Sequence, residues 1–163
     1  MDVVTKSLDL GCGLSPKNPF NASEVFGIDV RETNNENILK ADLAIEAIPY
    51  GDGFFDFVSA FDFIEHIPRI VYLPTKRNCF VELMNEIYRV LKPEGKFLSF
   101  TPAYPHGEAF RDPTHVNIIT EQTFPMYFDH QQKLAAMYGF TGAFVVEAQE
   151  WRGCHLLTMM KKV

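Results

Sequence analysis

Leu8-Asp9-Leu10-Gly11-Cys12-Gly13 carries an apolar run into two glycines, and Gly27-Ile28-Asp29-Val30 follows fourteen residues after Gly13. Small residues at Gly11 and Gly13 let backbone come close to a bound ligand. Asp29 ends a second apolar run and sets a fixed acceptor where a ribose diol can donate two hydrogen bonds. A second group of reactive types lies in Thr101-Pro102-Ala103-Tyr104-Pro105-His106-Gly107-Glu108-Ala109-Phe110-Arg111-Asp112-Pro113-Thr114-His115-Val116. That stretch is too rich in proline and polar residues to be read as helix or strand. Its histidines suit proton transfer near neutral pH. His115, oriented by Asp112, is the first candidate and His106 the second; the alternative is that Asp112 and His115 only lock the loop. Glu65-His66, after a third apolar run, reads as a position-holding pair. Glu65, His66, His106, Asp112 and His115 share no recognised metal-ligand spacing, so no metal is expected.

These residues need a scaffold, and the chain spells out one. Apolar runs at 7–10, 25–30, 56–60, 96–101, 143–148 and 155–160 read as strands, with a weaker one at 38–43. Arg77 to Leu91 places Phe80, Leu83, Met84, Ile87, Val90 and Leu91 at helical spacing and stops at Lys92-Pro93-Glu94-Gly95. Glu121 to Tyr138 reads as a second helix broken at Pro125. Strands separated by helices or long connections imply an α/β fold, a doubly wound and mainly parallel Rossmann-like sheet. The last two runs are joined so tightly that they pair antiparallel. Pro16 and Pro19 fall between the glycine turn and the next strand, so the first crossover helix is expected to be shortened or absent.

At 163 residues the chain fits a single domain, 1–163, with room for a substantial core. Its hydrophobic share of 47% without a long apolar run argues against a membrane span. Met1-Asp2-Val3-Val4-Thr5-Lys6 is too short and polar for a signal peptide. Three cysteines, Cys12, Cys79 and Cys154, lack a CxxC spacing and point to a reducing, cytoplasmic setting. A formal charge of −6 argues against nucleic-acid binding, which needs cationic surface.

A lone GxG is shared with nicotinamide and flavin enzymes, but here four elements occur in order. They are Asp9-Leu10-Gly11-Cys12-Gly13, then Gly27-Ile28-Asp29, then Ala41-Asp42-Leu43 with Ile48 to Asp56. The fourth is Phe63-Ile64-Glu65-His66-Ile67 with Glu86 to Lys96. Together, over roughly residues 7–101, they resemble class I S-adenosylmethionine-dependent methyltransferases of the small type 11 kind. The resemblance implies that Gly11, Cys12 and Gly13 border the methionine part of the cofactor, with Asp9 facing its amino group. Asp29 would hold the ribose, Asp42 and Leu43 would meet the adenine, and Phe61 and Asp62 would lie beside the methionyl group. A cap or turn role is the alternative for Asp29 and Asp42. Ser15 replaces the third glycine of the family pattern. The missing helix N-terminus speaks against a dinucleotide pyrophosphate.

The implied activity is methyl transfer to oxygen or nitrogen of a small-molecule acceptor, with His115, His106 and Asp112 beside that acceptor. No Asn-Pro-Pro-Tyr or Asp-Pro-Pro-Tyr follows the 56–60 run, and no paired-glutamate loop is present, which turns the reading away from DNA and protein arginine. The alternative is a non-catalytic module of the same fold that binds the cofactor or a protein partner. Only seven residues precede Leu8, so the crevice is expected to be either open or roofed, by an internal segment or by a second subunit in a homodimer.

Overall fold

The computed structural model describes residues 3–163; Met1 and Asp2, part of the segment read as too polar for a leader, lie outside the described residues. Seven strands build one sheet: β1 (Lys6–Leu10), β2 (Glu24–Asp29), β3 (Ile38–Lys40), β4 (Phe55–Phe61), β5 (Leu91–Pro102), β6 (Phe144–Arg152) and β7 (His155–Lys162). Their order is β3-β2-β1-β4-β5-β7-β6. The first five are parallel; β7 runs antiparallel to both β5 and β6. The order reverses between β1 and β4, the switch point at which open α/β sheets form their ligand crevice.

The helix α1 (Cys79–Val90) follows from its apolar stripe: Phe80, Leu83, Met84, Ile87 and Val90 are buried against the sheet. They meet Leu8, Leu10, Ile28, Val58, Ala60 and Phe97 in one core. The end of α1 and the residues after it serve as fasteners. Arg89 donates to Ile48 O, Tyr50 O, Asp52 and Glu86, tying the link before β4 to the helix. Lys92 grips both carboxylate oxygens of Asp56 at 2.8 and 2.9 Å. Gly95 is required because a Cβ there would lie 2.8 Å from Lys92 O.

The other face of the sheet has no helix between β1 and β2, as the prolines predict. Residues 11–23 cross it as a loop instead. Phe20 stacks on Phe57 at 4.5 Å, and the Lys17 ammonium sits 5.0 Å over the Phe61 ring. The Asn18 side chain and Ala22 exchange two hydrogen bonds that close the loop.

Two expectations need correcting. The Glu121–Tyr138 helix is instead a short α3 (Thr123–Tyr127) and a 3₁₀ turn (Leu134–Tyr138). Pro125 is not the break, since proline is tolerated in a first turn. The chain leaves the helix at Phe128 because the Asp129 carboxylate binds Gln131 N and Val146 N, drawing the backbone to the β6 edge. Within the stretch read as irregular, Glu108–Arg111 forms one helical turn, α2.

Candidate functional site

Both reactive groups of the sequence gather past the carboxyl ends of β1, β2, β4 and β5. In the glycine turn, Gly11 N and Cys12 N both donate to Ile28 O, at 2.9 and 3.1 Å. Gly13 N donates to Asp29 Oδ2 at 2.8 Å. Gly11 and Gly13 hold φ of 67° and 64°, in the left-handed region that side chains resist. A Cβ on Gly11 would lie 2.4 Å from Phe63 Cδ2, so the Phe63 ring rests directly on the turn.

Asp9, 1% exposed, accepts from Ser59 Oγ and Lys17 N, both at 2.8 Å. It pins the loop that replaces the first helix, and burial pushes its carboxyl above the ordinary value. Asp29 ends β2 and accepts from Arg31 Nε at 2.8 Å as well as from Gly13 N. The Arg31 guanidinium thereby holds its carboxyl below the usual range. Arg31 escaped the sequence reading because an exposed arginine after a strand carries no signal by itself.

Other sequence candidates take more particular places. The Cys12 side chain turns inward against Gly27, where a Cβ would meet its Sγ at 2.4 Å, and burial pushes the thiol up to about 11. The Leu43 side chain is buried in the core. Asp42 caps a turn, accepting from Ala44 N at 3.1 Å. Phe61 packs beside Phe100, and exposed Asp62 pairs with His155 Nε2 at 2.7 Å.

The second group assembles by docking one segment on another. Ile64–His66 forms a 3₁₀ turn after β4. Val116 N and Asn117 N both donate to Glu65 O, and the fully buried Asn117 amide donates to Ile64 O. Arg69 Nε closes the other side of Asn117 at 2.7 Å. This docking sets the His115 ring 4.8 Å from that of His66, edge to face.

Asp112 does not orient His115, contrary to expectation. Its carboxylate accepts from Thr114 N and Thr114 Oγ1, at 2.8 and 2.7 Å, because an Asx turn captures it locally. With its only proton given to Asp112, the Thr114 hydroxyl accepts from His66 Nδ1 at 3.0 Å. His115 Nδ1 donates instead to Ala109 O at 3.2 Å. Each imidazole thus keeps Nε2 as its free lone pair. Beneath them Glu65, 1% exposed, accepts from Thr101 Oγ1 at 2.7 Å through Oε2, while the buried Oε1 has no partner among the described residues. Burial raises the Glu65 carboxyl above its ordinary value. His106 stays apart, edge-on to Trp151 at 5.0 Å. Thr101, Thr114 and Asn117 were missed as positioning residues, since their partners are remote in sequence.

The turn fits S-adenosylmethionine and not a dinucleotide. All three of its N–H groups are already bound, so none is free for a pyrophosphate, and no helix N-terminus follows. A sulfonium cofactor without phosphate needs neither.

The match to a family model described as a methyltransferase domain, type 11, runs over residues 8–99. The chain belongs to this methyltransferase family, and its cofactor is S-adenosylmethionine. No curated relative matches the sequence. Among solved structures, a protein from Pyrococcus horikoshii superposes with a TM-score of 0.63 at 22% identity, covering 97% of this chain and 82% of that one. An S-adenosylmethionine-dependent methyltransferase from Aquifex aeolicus gives 0.60 at 18%, covering 98% and 82%. A chain of the complex of the Haloferax volcanii Trm112 methyltransferase activator gives 0.64 at 14%, covering 97% and 82%.

Proposed function

We propose that this protein transfers a methyl group from S-adenosylmethionine to oxygen or nitrogen of a small molecule. The acceptor lies between the 64–66 turn and the 103–116 segment. The observation that carries the reading is the convergence of His66, His115 and Glu65 next to Phe63, whose ring covers the glycine turn. Asp29 holds the ribose, with Arg31 fixing its carboxylate in the ionised state. Gly11 and Gly13 admit the methionyl part, and Asp9 faces its ammonium while anchoring Lys17. Asp42 and the Leu43 backbone border the adenine, and Phe61 and Asp62 the methionyl side.

Bound there, S-adenosylmethionine supplies a sulfonium-activated methyl group that requires in-line approach. The chain's own part is to align the acceptor and receive its proton. Asp112 acts through Thr114 to keep the His66 lone pair at Nε2, and Ala109 O does the same for His115. Either imidazole can then accept the proton of a hydroxyl or amine. Transfer of a labelled methyl group to a panel of small hydroxyl and amine acceptors tests this. A His66→Ala/His115→Ala variant is expected to lose at least 100-fold in kcat while binding S-adenosylhomocysteine normally. Undiminished turnover would remove both histidines from the reaction.

The second reading is a non-catalytic module that binds the cofactor or a protein partner. The sheet face away from α1 supports it, because the loop 11–23 lies there in place of a helix. Such a module would bind S-adenosylhomocysteine through Asp29 yet turn over no acceptor.

A further inference from the structure

Glu65, His66 and His115 each offer one ligand atom within 4.8 Å of the other two. Two neutral imidazoles and one carboxylate, brought together from two separate segments, form a recurring donor set for divalent transition metals. Three further features go beyond proximity. Both imidazoles are locked through Nδ1, His66 by Thr114 and His115 by Ala109 O, leaving Nε2 on each as the lone pair. Metal-binding histidines are oriented in this way, the other ring nitrogen donating to a hydroxyl or carbonyl. The Glu65 Oε1 atom is buried and has no hydrogen-bond partner among the described residues, although Oε2 is tied to Thr101. Such an atom costs about 1–3 kcal/mol unless something binds it.

We propose that Glu65, His66 and His115 form a binding site for one divalent first-row transition ion. An ion at about 2.1 Å from each donor sets the donors about 3.0–3.4 Å apart, so the half-buried histidines must close inward over the fixed Glu65. The nitrogen-rich set disfavours Mg²⁺ and Ca²⁺, which take oxygen ligands. Three protein ligands leave a coordination position open, and in the acceptor crevice that position would receive the acceptor's oxygen or nitrogen. With an ion bound, neither Nε2 would be free as a base; the ion would lower the pKa of the acceptor held at the open position, and the acceptor's proton would leave to solvent water before methyl transfer. Metal binding itself depends only on the donor set and holds whether or not methyl transfer occurs.

The test is titration of the full chain, stripped with chelator, by Zn²⁺ in a calorimeter and by Co²⁺ followed through its visible absorption. One ion per chain is expected, with d–d bands of a nitrogen- and oxygen-ligated site. His66→Ala and His115→Ala should each weaken binding at least 100-fold, Glu65→Gln at least tenfold, and Thr114→Val about tenfold through lost orientation. Cys154→Ala should leave binding unchanged, which separates this site from the Cys154–His155 contact. Zn²⁺ should raise the melting temperature of the wild type and not that of the histidine variants. These are half-exposed positions, so the test stands even if Glu65→Gln folds poorly. Failure of the wild type to bind either ion at ten micromolar, or binding that survives in the His66→Ala/His115→Ala variant, would overturn the site. Cofactor binding with no metal binding would leave the methyltransferase reading in place and remove only the metal.

Discussion

At Gly11 two constraints meet: a φ of 67° and a Phe63 ring that leaves no space for a Cβ. Gly11→Ala should therefore lower stability by about 1–2 kcal/mol and weaken S-adenosylhomocysteine binding more than tenfold. Denaturant titration and calorimetry check the two effects separately. Cys12 makes a contrasting case. Its position between the glycines draws attention, yet the side chain is buried against Gly27 and its thiol is pushed up to about 11. In the native protein at pH 8, thiol reagents should modify half-buried Cys154 and spare Cys12 and Cys79, both buried. Mass spectrometry of the labelled peptides decides it, and rapid labelling of Cys12 would count against the inward orientation.

Between elements, the decisive contact is the docking of residues 112–117 on the 64–66 turn. Asn117 is its fulcrum, with an amide donating to Ile64 O and an oxygen accepting from Arg69. Asn117→Ala leaves Ile64 O with only Ile67 N and takes from Arg69 Nε its acceptor, and should cost about 1–3 kcal/mol. It should also reduce kcat more than it affects cofactor affinity, because His115 loses its support while the glycine turn is untouched. Equal loss of both would mean that the two halves of the crevice are not mechanically separate. This juxtaposition also marks where sequence legibility ended. Gly11, Gly13 and Asp29 were readable because a strand, a turn and a second strand place them locally. Asp112, close before His115, read as its orienting partner, but the Asx turn gave the carboxylate to Thr114, whose hydroxyl meets His66. No local pattern could show that, because the receiving histidine is on another segment. The Glu121–Tyr138 helix failed for a similar reason, an apolar periodicity being overridden by Asp129 bonding across to β6.

For the molecule as a whole, the strands, their mainly parallel sheet and the antiparallel close were legible from apolar runs and connection lengths, and the missing first helix from two prolines. The loop's anchorage on Asp9, Phe57 and Phe61 was not, since it depends on two strands at once. Among the described residues no helix is long and apolar enough to cross a membrane. Acid stability follows from the carboxylates that fasten the fold. Arg89 holds Glu86 below its ordinary range, and at Asp56 the penalty of burial is outweighed by Lys92 and Lys6 N. Lowered folded values mean that their stabilisation is complete above the unfolded pKa and is lost as pH falls through the folded one. Asp9 acts oppositely: its raised value means that ionisation opposes folding and that acid relieves it. Urea midpoints should hold near neutrality and fall below about pH 4.5. The fall should be shallower in an Asp56→Asn/Glu86→Gln variant, and an unchanged slope would refute these two carboxylates as its source.

The central claim is that the Gly11–Gly13 turn and Asp29 form an S-adenosylmethionine cradle. Calorimetric titration with S-adenosylhomocysteine, with NADH as control, tests it most directly. The account predicts one site of micromolar affinity, lost in Asp29→Ala, with no heat from NADH. Absence of binding, or binding that Asp29→Ala leaves intact, would contradict it.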